Sequence, residues 1–278
     1  MNPLMDASAL NHRMTSGKRT VLLDVRWALG DPRGREHYLE AHIPGAVYVD
    51  LPTRLAGPAD PDAGRHPLPP LQQFQESARC WGIRDNDVVV AYDDTGGTAA
   101  ARLWWMLRNA GFSTVFLLDG GLSAWRAAGY AMEGGLEQAS LGDVTLMDGA
   151  MPVIDAAQAA QWAERGVLLD ARAGERYRGE IEPVDPRAGH IPGAVSAPTA
   201  GNIGADGRFL PPEELRERFI ALGVRPDVPT AVYCGSGVTA AHEIAALEIA
   251  GFPAALYPGS FSQWSNNPGN AVATGAAP

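Results

Sequence analysis

Short apolar runs of about four or five residues alternate along this chain with stretches of about a dozen residues whose apolar positions recur at helical spacing. In the first half the runs at 21–25, 47–49, 88–92 and 115–118 predict strands, and the stretches at 71–81 and 98–110 predict helices. The second half repeats the order, with strands at 167–171, 230–233 and 254–257 and helices at 213–222 and 239–250. Strand and helix in alternation predict an α/β fold, each domain built on a mainly parallel sheet flanked by helices.

The two halves also repeat one another in detail. Leu22-Leu23-Asp24-Val25-Arg26 returns as Leu168-Leu169-Asp170-Ala171-Arg172, and His42-Ile43-Pro44-Gly45-Ala46-Val47 returns unchanged at His190–Val195. Ala91-Tyr92-Asp93 falls opposite Val232-Tyr233-Cys234, and Trp125 opposite Trp264. Matching blocks in one order, with drifting spacing, are the mark of a duplication. Two tandem domains are therefore expected, 1–140 and 141–278. The glycine-bearing stretch 132–152, which shows no strong periodicity, is read as their linker. His42 and His190, and the pairs Asp24–Arg26 and Asp170–Arg172, occur in both halves and are read as structural, the pairs as buried ion pairs.

The chain has 278 residues, 46% of them hydrophobic and 19% charged, enough for two domains that each bury a core. A formal net charge of −10 argues against nucleic acid or an anionic membrane as partner. The two cysteines, Cys80 and Cys234, are too few for a disulfide framework, and the six histidines show no metal-ligand spacing. Without an N-terminal signal pattern or a long apolar run, a cytoplasmic location is expected. Cys80 is read as a small core residue.

Cys234 carries the candidate chemistry. It stands in Tyr233-Cys234-Gly235-Ser236-Gly237-Val238-Thr239, between a strand and a helix, facing the unpaired N–H groups of the helix start. Glycines on either side of Ser236 let the backbone curl so that successive N–H groups converge on one anion, a thiolate or a persulfide. In the first half the same position is Asp93, a carboxylate that would repel an anionic ligand rather than attack an electrophile. Only the second half is expected to be chemically active.

The duplicated Asp-Val/Ala-Arg and His-Ile-Pro-Gly-Ala blocks, together with the Cys-Gly-Ser-Gly-Val-Thr loop, resemble the rhodanese family of sulfurtransferases over nearly the whole chain. The resemblance implies two tandem rhodanese-like domains and no cofactor or metal. Within the family, Gly-Ser after the cysteine marks members preferring 3-mercaptopyruvate over thiosulfate, whose binders carry basic residues there. The resemblance further implies that Arg176 and Arg187 hold the donor's carboxylate and keto group, a task suited to planar guanidinium forks. The loop N–H groups of Gly235, Gly237, Val238 and Thr239 would hold the persulfide. Ser236 is implied to join a Ser/His/Asp relay with His66, with Asp50 the nearest carboxylate for its third member.

The activity so implied moves sulfur from 3-mercaptopyruvate to Cys234, releasing pyruvate, and then to thioredoxin, a small thiol or cyanide. A thiosulfate:cyanide sulfurtransferase and a protein-to-protein persulfide carrier use the same loop and stay open. A cysteine phosphatase would need an arginine six residues after the cysteine, where this chain has Ala240.

Overall fold

The computed structural model describes residues 2–278. Its first half runs β1 (Leu4–Met5), α1 (Ala7–Thr15), β2 (Thr20–Asp24), α2 (Gly34–Glu40), β3 (Val47–Tyr48), α3 (Leu51–Arg54), α4 (Leu71–Cys80), β4 (Val88–Tyr92), α5 (Thr98–Asn109), β5 (Val115–Leu118) and α6 (Gly121–Ala127). The second runs α7 (Ala156–Ala160), β6 (Val167–Asp170), α8 (Gly174–Tyr177), β7 (Val195–Ser196), α9 (Pro212–Ala221), β8 (Thr230–Tyr233), α10 (Thr239–Ile249), β9 (Ala255–Leu256) and α11 (Ser260–Asn266), with 3-10 turns at Trp162–Glu164 and Thr199–Asn202. Among the described residues no helix is long and apolar enough to cross a membrane.

Each half builds one sheet, ordered β1-β5-β4-β2-β3 in the first and β7-β6-β8-β9 in the second. Every neighbouring pair in both sheets is parallel. Parallel strands need helical crossovers, which cover the faces of the sheet, and this is why the central strands are apolar without alternation. Beside β9, Val153 makes a parallel bridge to Leu256, the counterpart of β1 beside β5. In the first unit Leu22, Val90, Tyr92 and Trp125 share one core cluster, and in the second Leu168, Ala231, Tyr233 and Trp264 share another.

The repeated sequence blocks form repeated local structures. The Nδ1–H of His42 donates to the Tyr38 carbonyl at 2.8 Å, and that of His190 to the Tyr177 carbonyl at 2.8 Å. Each histidine ring stacks on the same tyrosine, with centroids 4.1 Å and 3.8 Å apart. The Ile43 and Ile191 N–H groups donate to the Tyr92 and Tyr233 hydroxyls, tying each His-Ile-Pro-Gly-Ala turn to the central strand. Arg26 pairs with Asp24 at 2.7 Å and Arg172 with Asp170 at 2.6 Å, all four buried. Burial pushes the Asp24 carboxyl up to about 6, against the pull of Arg26.

Two segments depart from the sequence reading. The first compact unit comprises residues up to Gly57, Pro69–Ala150 and Gly204–Phe209, and the second Pro58–Leu68, Met151–Ile203 and Leu210–Pro278. The change of unit thus lies at Ala150, not near residue 140, because the presumed linker packs on the first unit. Val144 and Leu146 are buried, the Leu146 N–H donates to Gln75, and a Cβ on Gly142 would lie 2.0 Å from the Ile83 carbonyl oxygen. Leu136, Leu141 and Met147 of the same stretch are exposed, so its apolar positions follow no single face and register no periodicity. Likewise Pro58–Leu68, first-half residues by sequence, belong to the second unit, where the Arg65 N–H donates to Ser262 Oγ and Gln263 to the Asp62 carbonyl. Cys80, expected in the core, is exposed at the end of α4.

Candidate active site

β8 is buried along its length and delivers Cys234 at its carboxyl end, where ligands bind in sheets of this kind. The turn into α10 needs Gly237, which has φ +77°, and a Cβ there would lie 2.5 Å from the Pro258 carbonyl oxygen. This conformation aims the Gly237 N–H at Cys234 Sγ, 3.1 Å away. The cysteine backbone is fixed from the start of α11: its N–H donates to Ser260 Oγ at 3.2 Å and its carbonyl accepts from Phe261 at 3.0 Å, while the Gly235 carbonyl accepts from Ser262 at 2.8 Å. Ser260 holds this place at φ +52°, a left-handed conformation costly for a serine. Cys234 is 1% exposed, so its sulfur meets the loop N–H and the start of α10 rather than bulk water.

The first unit shows what such a loop can hold. Asp93, at the position matching Cys234, accepts from the N–H groups of Thr95 and Gly97 at one carboxylate oxygen and from those of Ala99 and Ala100 at the other, all at 2.8–2.9 Å. Burial pushes the Asp93 carboxyl up and these four donors pull it down, with burial prevailing. A carboxylate oxygen stands two bonds from Cβ, and so does the outer sulfur of a cysteine persulfide. The Asp93 cradle is therefore the chain's own example of this turn binding an anion of that reach.

Around Cys234 the second unit assembles several of the expected residues. His66 Nδ1 lies 2.8 Å from Ser236 Oγ, so these two candidate residues are in contact across a sequence separation of 170. Asp50 belongs to the first unit, at the start of α3, and its carboxylate accepts from the Thr53 hydroxyl at 2.6 Å. Val238 and Thr239 form the N-terminal boundary of α10. Gly235 has both Arg65 and Arg176 against it: a Cβ there would lie 3.1 Å from Arg65 Nη2 and 3.4 Å from Arg176 Nη1.

Arg187 is bonded to backbone carbonyls. Its Nε donates to the Ser265 carbonyl and its Nη1 to that of Asn270, both at 2.8 Å, and its Nη2 donates to the carbonyls of Trp264 and Asn267. Its fork closes the end of α11, where helix carbonyls lack intrahelical partners. Arg176 is bound instead to Glu182 at 2.7 Å and Asp185 at 3.0 Å, and Asp185 also pairs with Arg65. Both carboxylates are nearly inaccessible. Burial works to raise both: at Glu182 the bonds from Arg176 and the Asp185 N–H overcome it and hold the carboxyl low, whereas at Asp185 it prevails over Arg65 and leaves the carboxyl high.

Arg65, Ser260, Glu182 and Asp185 were not singled out by the sequence. Arg65 stands beside His66, but Asp185 is 120 residues away and no local pattern joins them.

A family model described as a rhodanese-like domain matches residues 6–128 and again 154–267. A Pseudomonas aeruginosa protein named "Probable 3-mercaptopyruvate sulfurtransferase" is 48% identical over 98% of each chain. A Mycobacterium tuberculosis protein named "Putative thiosulfate sulfurtransferase SseB" is 43% identical over 99% of this chain and 98% of its own. Among solved structures, SseA from Escherichia coli, titled as a 3-mercaptopyruvate sulfotransferase of the rhodanese fold, superimposes with a TM-score of 0.83 at 30% identity, covering 94% of this chain and 99% of its own.

Proposed function

The chain belongs to the rhodanese family, and from that premise we propose that it is a sulfurtransferase that takes sulfur from 3-mercaptopyruvate onto Cys234 and passes it to a thiol or to cyanide. In the first step the Cys234 thiolate forms a bond to the donor's thiol sulfur as the carbon–sulfur bond breaks. The electron pair of that bond goes into the adjoining carbonyl as the enolate of pyruvate, and the proton formerly on the donor thiol ends on the enolate carbon. Charge and atoms balance, leaving a Cys234 persulfide anion and pyruvate. In the second step an acceptor thiolate or cyanide attacks the outer sulfur and regenerates the Cys234 thiolate.

The single observation that carries this reading is the loop geometry: an N–H aimed at the sulfur in a turn whose counterpart binds a carboxylate through four N–H groups. In this reading Ser236, in contact with His66, moves the donor proton from sulfur toward carbon. The relatives' names support the donor class.

A second reading, thiosulfate as donor, is favoured by the name of the Mycobacterium tuberculosis relative. The two are separated by measuring pyruvate release from 3-mercaptopyruvate beside thiosulfate consumption at matched concentrations. Intact-mass measurement after incubation with the donor alone must show one added sulfur atom on the wild-type chain and none on Cys234→Ser. Sulfur gained by the serine variant would refute the assignment of the nucleophile, and faster thiosulfate turnover would refute the donor.

A further inference from the structure

Resting on the donor reading above, we infer that the acid group of the donor is held by Arg65 together with Arg176, aligned by Asp185, and not by Arg176 with Arg187. The two guanidinium groups converge on one spot. Arg65 Nη2 and Arg176 Nη1 both lie in van der Waals contact with the place a Cβ would take on Gly235, the residue next to the nucleophile. A Cβ at that position would crowd Arg65 at 3.1 Å and touch Arg176 at 3.4 Å, so the absence of a side chain leaves room for both arginines beside the loop.

Asp185 sets their spacing. One of its oxygens pairs with Arg65 and the other accepts from Arg176 Nη2 at 3.0 Å. A carboxylate bound edge-on by two guanidinium groups leaves each with further N–H donors. Arg65 Nε is buried and lacks a hydrogen-bond partner, and Arg176 Nη1 makes no ion pair among the described residues. Donors held in fixed directions and unspent suit a second carboxylate, that of the substrate.

The placement of Arg65 is rigid. Its own N–H donates to Ser262 Oγ at 3.1 Å, and Gly64 before it lies so close to Gly259 that a Cβ would be 2.7 Å from the Gly259 carbonyl oxygen. The same turn fixes Cys234 through Ser260 Oγ. Arg65 and the nucleophile are thus referenced to one piece of backbone, so a donor gripped by its carboxylate presents its sulfur to Cys234 reproducibly. Arg187 could serve only by abandoning four carbonyl oxygens at the end of α11.

The test crosses enzyme variants with donor variants. Steady-state rates are measured for wild type, Arg65→Met, Arg65→Lys and Arg187→Met with 3-mercaptopyruvate and with its methyl ester, which keeps the thiol and the ketone but carries no acid charge. Arg65→Met is expected to raise KM for the acid about 10- to 100-fold, the range for a lost charge-assisted hydrogen bond, and to leave the ester within about twofold. Arg65→Lys, which keeps the charge facing Asp185 and guards against misfolding, is expected to fall between.

Arg187→Met is expected to lower the melting temperature and to affect acid and ester alike. Equal effects of Arg65→Met on acid and ester, or no effect on the acid, would overturn the inference. So would an acid-selective KM effect of Arg187→Met. Absence of pyruvate release by the wild type refutes the donor reading instead. The fork is then tested by thiosulfate loading of Cys234, which Arg65→Met must weaken by the same order for the inference to stand.

Discussion

Removing the carboxylate of Asp93 tests whether this turn is an anion cradle, in the half of the molecule where no chemistry interferes. In Asp93→Ala four N–H groups lose their acceptor. Thr95 is exposed and its N–H can turn to water, but Gly97, Ala99 and Ala100 are buried. A buried donor left unsatisfied costs about 1–3 kcal/mol, so three come to about 3–9 kcal/mol gross. Against this stands the relief of a buried charge, whose cost is visible in the raised carboxyl, and partial entry of water. The expected net loss is about 2–4 kcal/mol. Asp93→Asn keeps one acceptor oxygen but turns an NH2 toward the other donors, so it should lose at least half as much. Urea unfolding followed by tryptophan fluorescence weights the first unit, which holds Trp27, Trp81, Trp104, Trp105 and Trp125 against Trp162 and Trp264 in the second. If both variants unfold within about 0.5 kcal/mol of wild type, the N–H groups do not depend on the anion, and the argument from this turn to a persulfide at Cys234 collapses.

Gly237→Ala combines an unfavourable φ with a clash against Pro258. It should cost about 1–2 kcal/mol and, by turning the N–H away from Sγ, reduce kcat at least tenfold, which single-turnover persulfide formation will show. Ser236→Ala should lower kcat about 10- to 100-fold, with donor KM little changed; an unaltered kcat would remove the Ser236–His66 contact from the mechanism. A pH effect follows from Glu243, buried on α10 and bonded to Asn202 at 2.6 Å, whose carboxyl burial pushes up to about 7 against the pull of Arg218. Between the ordinary carboxylate range and about 7 the folded state binds more protons than the unfolded. Stability is therefore greatest at the acid end of that window and falls as pH rises through it. Asp24, pushed up to about 6, acts in the same direction. Glu243→Gln should flatten the difference in melting temperature between about pH 5 and about pH 8, and an unchanged slope would show that Glu243 does not titrate in that window.

What the sequence by itself determined was whatever repeats locally. The apolar strand at 88–92 and its counterpart at 230–233 are found as β4 and β8, and the long helices lie within a residue or two of their expected bounds, because burial on both faces and helical spacing are local patterns. Duplication separated structure from chemistry. His42 and His190, present twice, pack on tyrosines, whereas Cys234, present once, sits in the curled loop. The tertiary structure alone decided what depends on chain reversal. Nothing local says that Pro58–Leu68 will join the second unit, that Ser260 will bond the nucleophile's backbone, or that Asp185 will align Arg65 with Arg176. Arg187 is a further case: the carbonyls its fork closes come from α11 and the turn beyond it, nearly 80 residues along the chain. A side chain with several N–H donors goes where unsatisfied acceptors lie, and only the folded backbone determines where those are.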